Sequence, residues 1–261
     1  MSNTFQVNTE YTPAKYQPNV NVKDMNRYGA YGAIGGGLLG LILALRSKSM
    51  LAKILLPLGL ATAGGALAYA GKGIYDGVQG TSYDYSKYKA PTNPGQKVII
   101  GISGGGGGPG GQMDKVMNSR FGAGNVAMFN WRDRDALRNY INSLPEDTEI
   151  EAHGWSYGGS TLMNMIKELK NRRFNKVVTY DPVSWTDRVD DKLDNIGSWT
   201  NVLPGARDTF SEGNVVASVG GRWGKRSGAN NILTPKTRMY GGDEYFTDHA
   251  DFEGMYDYMS R

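Results

Sequence analysis

The chain contains no cysteine. That excludes disulfides, a thiol nucleophile and any Cys-ligated zinc or iron–sulfur centre. Histidine is almost as scarce, with only His153 and His249 in 261 residues. A three-histidine metal site is therefore excluded, and any chemistry that needs an imidazole must use one of these two. A strong charge of either sign is missing as well. The net charge is +4, and Lys and Arg are scattered among acids, so no basic patch points to nucleic acid. Apolar residues make up 39% and charged residues 21%, enough for a packed core.

Glycine is abundant and unevenly placed. Residues 1–27 are polar, with Asn, Thr, Gln, Pro and Tyr prominent, and read as an extended arm. Residues 28–45 (YGAYGAIGGGLLGLILAL) carry no charge, and after Arg46-Ser47-Lys48-Ser49 a second apolar run covers 50–71, broken only by Lys53. Each run is close to the ~20 residues that span a hydrocarbon core as helix. Gly32, Gly36 and Gly40 are four apart, as are Gly59, Ala63, Leu67 and Gly71. Small residues at this spacing let helices approach closely in lipid. The expectation for 28–71 is a membrane-inserted helical hairpin, which could also mediate self-association. A Gly/Ala-rich hairpin buried against protein is the competing reading. A secretory leader ending near 66–70 would be unusually long. Residues 72–96 lack periodicity and read as a linker.

From residue 97 onward, short β-branched runs alternate with helical patterns. Strands are expected at 97–102 (KVIIGI), 125–131, 149–154 and 176–180, with further ones at 201–203, 214–219 and 232–240. Helices are expected at 133–144 with Asp133 as cap, at 156–172 with Leu162, Met165, Ile166 and Leu169 on one face, and at 251–259. The β-α-β-α-β order predicts an α/β domain over 97–261, with a mainly parallel sheet and helices on both faces.

The chemistry gathers at strand ends. Gly154-Trp155-Ser156-Tyr157-Gly158 lies at a strand-to-helix junction, where a sharp turn would present Ser156 as a nucleophile. Asp181 follows the next strand, with Asp187, Asp190, Asp191 and Asp194 as rivals downstream. His249 precedes the final helix, which makes the chain order Ser156, Asp181, His249. A serine hydroxyl needs an imidazole to take its proton, and an acid holds that imidazole in the right tautomer. His153 lies on the strand before the serine and is expected to pack there. The glycine run 104–108 follows the first strand and lacks the Gly-Lys-Ser/Thr ending of a phosphate loop. Gly104 and Gly105, with the N–H of Tyr157, are the expected oxyanion-hole donors, although a flexible connector is the simpler alternative. Residues 220–226 (GGRWGKR) read either as a lid touching lipid headgroups or as a solvated loop.

In these features (the strand followed by glycines, HGWSYGG, VVTYDPVSW and DHADF) residues 97–261 resemble the lipase and esterase branch of the α/β-hydrolase superfamily. The resemblance implies ester hydrolysis through an acyl-enzyme, with no metal or organic cofactor. Two features depart from it: Trp155 stands where many relatives place a histidine, and no histidine opens the glycine run. The expected function is a membrane-associated serine esterase acting on lipid or phospholipid esters. Thioesterase and peptidase chemistry use the same groups. The alternative is a membrane-inserting structural protein, such as one of a phage virion, or an antibacterial effector that keeps the fold.

Overall fold

The computed structural model describes residues 83–261, apart from 92–94, 106, 187, 210, 212–213, 215–216, 219 and 241–242. The expected arm at 1–27 and hairpin at 28–71 lie outside the described residues. Among the described residues no helix is long and apolar enough to cross a membrane.

Six strands, β1 (Lys97–Ser103), β2 (Val126–Asn130), β3 (Glu149–Trp155), β4 (Phe174–Tyr180), β5 (Ile196–Leu203) and β6 (Asn230–Leu233), form one sheet. Its order is β2-β1-β3-β4-β5-β6 and every neighbouring pair is parallel. A parallel sheet covered on both faces needs strands that are apolar throughout rather than alternating. β2 is the clearest case, buried at all five positions.

Successive side chains then divide between two cores. Ala127 and Phe129 join Ile100, Ile102, Ile150, Ala152 and Val177 beneath α2 (Arg134–Ser143) and α3 (Tyr157–Glu168). Val126 and Met128 join Val178, Tyr180 and Val202 against α1 (Gln112–Phe121) and α4 (Phe252–Met259). The fold is thus α/β with helices on both faces.

Several local expectations are corrected. Residues 232–240 do not form one strand: β6 stays in the main sheet, while β7 (Thr237–Tyr240) pairs antiparallel with β8 (Asp243–Phe246). Pro235 lies between them, and its missing N–H cannot serve a ladder. In the stretch expected as a strand at 214–219, the described residues Asn214, Ala217 and Ser218 are helical. Part of the expected linker packs on the domain. Tyr85 stacks on Phe129 with centroids 5.1 Å apart, and its hydroxyl donates to Asp133 Oδ2. Asp133 stands at the start of α2, but its carboxylate accepts this bond instead of capping the helix.

In open parallel sheets, ligand crevices form beyond the carboxyl ends of the strands where the winding reverses. Here that point lies between β1 and β3. Gly104 leaves β1 and Ser156 leaves β3 at that edge.

Candidate active site

The turn after β3 holds Ser156 at φ 57°, ψ −126°, a left-handed conformation that a residue with a side chain rarely adopts. Such strain costs on the order of 1–3 kcal/mol and persists only where the surroundings enforce it. They do so here. Ser156 N–H donates to the Tyr180 carbonyl at 3.0 Å, and Val183 N–H donates to the Ser156 carbonyl at 3.1 Å. Gly158 completes the turn by close approach: a Cβ there would fall 2.1 Å from the Ile102 carbonyl oxygen.

The three residues expected to act together are brought together. Ser156 Oγ lies 2.9 Å from His249 Nε2, and His249 Nδ1 lies 2.8 Å from Asp181 Oδ2. All three side chains are buried, Asp181 completely. Asp181 also has positive φ (39°) and donates its N–H to the Val202 carbonyl. Its described rivals Asp190, Asp191 and Asp194 are exposed, and Asp187 lies outside the described residues. With Nδ1–H directed at the carboxylate, Nε2 is left free to accept the serine proton.

Trp155 fills the place where the resemblance suggests a histidine. Its indole N–H donates to the His249 carbonyl at 3.0 Å, and its ring packs against Phe252. A residue of the β3 turn thereby anchors the loop carrying His249. His153 is the other imidazole and is fully engaged elsewhere. Its Nε2 meets Glu151 Oε1 at 3.0 Å and its Nδ1 meets the Tyr180 hydroxyl at 3.1 Å. Burial pushes the His153 pKa down against the opposing pull of Glu151. Burial also works to raise the Glu151 carboxyl, but hydrogen bonds from His153, Lys97 and Lys176 outweigh it and hold that group well below the usual range.

The glycine loop after β1 also lies against the serine turn. A Cβ on Gly104 would lie 2.5 Å from Ser156 Cβ, so the glycine loop runs directly against the serine. One on Gly105 would sit 3.6 Å from the Tyr157 ring. Tyr157 opens α3, where first-turn N–H groups have no partner within the helix and carry the positive end of its dipole. Its ring stacks on Trp131 at 5.0 Å.

One contributor escaped sequence reasoning. Arg222 Nε stands 2.9 Å from Asp181 Oδ2, forming an ion pair with the buried acid. Its neighbour Trp223 is fully buried, so 220–226 does not present that ring to lipid or solvent. No signal within the stretch GGRWGKR announces the pairing, because its partner stands just past the end of β4. Among the described residues no group of three or more His, Asp or Glu side chains is placed to hold a metal ion.

No protein-family model, curated protein or solved structure matches the chain.

Proposed function

We propose that the domain is a serine hydrolase of α/β-hydrolase type, cleaving carboxylic esters through an acyl-enzyme. The observation that carries this reading is the hydrogen-bonded series Ser156 Oγ–His249 Nε2 and His249 Nδ1–Asp181 Oδ2, at 2.9 and 2.8 Å, on a strained strand-to-helix turn.

In this mechanism Ser156 Oγ attacks the ester carbonyl carbon while His249 Nε2 takes the hydroxyl proton. The carbonyl oxygen becomes an oxyanion facing Tyr157 N–H and the backbone of Gly104 and Gly105. The bond to the alcohol oxygen then breaks, and His249 returns the proton to that oxygen as the alcohol leaves. Water, deprotonated by His249, cleaves the acyl-serine and restores the free hydroxyl. Asp181 keeps the imidazole oriented and balances its transient positive charge.

Lipid or phospholipid esters are the proposed substrate class. The charge-free composition and near-spanning length of the apolar runs in 28–71 support this reading, because they suit insertion in a membrane. So do the exposed Trp185, four residues after Asp181, and the exposed Met239 and Phe246 on the ribbon preceding His249.

The test is hydrolysis of short-chain nitrophenyl esters by full-length protein. Ser156→Ala is expected to lower kcat by roughly 10⁶-fold while the protein stays folded. A folded variant with wild-type turnover removes Ser156 as the nucleophile.

A further inference from the structure

The carboxylate of Asp181 has two cationic neighbours. Arg222 Nε is 2.9 Å from Oδ2, the same oxygen that faces His249 Nδ1, while Arg207 Nη2 is 3.9 Å from Oδ1. Oδ1 and Arg222 Nε are both buried without a hydrogen-bond partner among the described residues, so the arginine acts on the carboxylate as a close charge. A carboxylate held at only one oxygen can turn about its Cβ–Cγ bond. The two arginines pull at different oxygens, so its orientation depends on which of them dominates.

Arg222 is the better anchored. Nη2 donates to Asn214 Oδ1 at 2.6 Å and Nη1 to the Arg207 carbonyl at 3.3 Å. Asn214 is fixed in turn by its Nδ2, which donates to the Ala206 and Thr209 carbonyls at 2.7 and 2.9 Å. The Arg222 backbone is tied to the segment that carries the acid. Val183 and Arg222 form an antiparallel bridge, Ser184 N–H donates to the Gly221 carbonyl, and Trp223 N–H donates to the Pro182 carbonyl. The fully buried Trp223 ring pins the other side. Only 9% of the Arg222 side chain is exposed, so little of it is open to a substrate.

We infer that Arg222 is a positioning residue for the Ser156–His249–Asp181 series, turning Asp181 so that Oδ2 faces His249 Nδ1. This rests on the hydrolase reading. Arg222 also compensates the charge of a carboxylate that has no access to water, and an uncompensated buried charge is costly. Its effect reaches the reacting atoms through Asp181 and His249 alone, so it bears on turnover and not on substrate affinity.

The experiment compares full-length wild type, Arg222→Gln and Arg222→Lys in ester hydrolysis and in the rate of labelling by a fluorophosphonate. Losing the function of the acid altogether costs about 10⁴-fold, and misorienting it is expected to cost about 10²-fold. Arg222→Gln should therefore lower kcat about 100-fold with KM within about twofold. Arg222→Lys, which keeps the charge but not the fork, should recover about tenfold of that loss. Arg222→Gln turning over within threefold of wild type, or Arg222→Lys no better than Arg222→Gln, overturns the inference. If Arg222→Gln does not fold, the far-downfield His249 Nδ1 proton is compared between wild type and Arg222→Lys. A displaced resonance with lowered kcat supports the assignment; an unmoved one with wild-type kcat overturns it. Wild-type protein that neither turns over nor takes label removes the hydrolase reading itself, an outcome distinct from equal activity of wild type and Arg222→Gln.

Discussion

Ser156 and Asp181 share an uncommon backbone feature, positive φ without being glycine, and each stands just past the carboxyl end of a buried parallel strand. The strain is held by hydrogen bonds linking β3, β4 and β5, so the geometry of the site is a property of the sheet edge and not of one loop. Gly104 tests how tightly that edge is built. Gly104→Ala places a methyl group 2.5 Å from Ser156 Cβ and 2.8 Å from the Trp155 carbonyl oxygen. The loop must then retreat from the serine, and kcat is expected to fall by about 10²–10³-fold, the usual loss for one oxyanion donor. Steady-state kinetics on folded protein checks this, and unchanged kcat would detach the glycine loop from catalysis. Ser156, Asp181 and His249 were legible in sequence because each adjoins an apolar run or a helix start that places it. Arg222 was not, since its contact with Asp181 exists only once Trp223 is buried and the Val183–Arg222 bridge has formed.

At the scale of elements, the β3–β4 pair joins the site to a buried polar group lower in the sheet. Glu151 and His153 point to the same face, between Lys97 and Lys176 on one side and Tyr180 on the other. The folded state lowers the pKa of His153 through burial, so folding favours its neutral form. Its stability contribution is therefore complete above the unfolded-state pKa of about 6.5. It is lost as pH falls from there toward the folded value, because the unfolded chain binds the proton more readily. Wild type should consequently lose on the order of a few degrees more Tm between pH 7 and pH 5 than His153→Gln. Thermal melts across that range check it, and parallel curves for the two proteins would contradict it. Strand identity was legible here because β1 to β4 are buried on both faces. The split of 232–240 was not, since it depends on which sheet receives each half. Nor was the packing of Tyr85 on Phe129, which sequence reasoning sees only as a tyrosine in a polar stretch.

For the whole molecule, the described domain is built on a parallel sheet whose reversal between β1 and β3 brings the glycine loop and the serine together. The end of β4 delivers the acid, the connection between β5 and β6 brings its arginine, and the chain returns after β8 with the histidine. The apolar hairpin expected at 28–71 lies before every one of these groups in sequence, so the proposed chemistry and the proposed membrane attachment are separable. The α/β class was readable from alternating runs because both cores draw on alternate residues of the same strands, as Val126 and Met128 against Ala127 and Phe129 show. The central claim is that Ser156 is activated by His249 and Asp181. Its most direct test is mass spectrometry of pure full-length protein after treatment with a fluorophosphonate, which bonds quickly to an activated serine and not to an ordinary one. The account predicts one phosphonyl adduct, on the peptide containing Ser156, formed quickly in wild type and lost in His249→Ala. Folded wild-type protein with no adduct, or with its adduct on another residue, would contradict it.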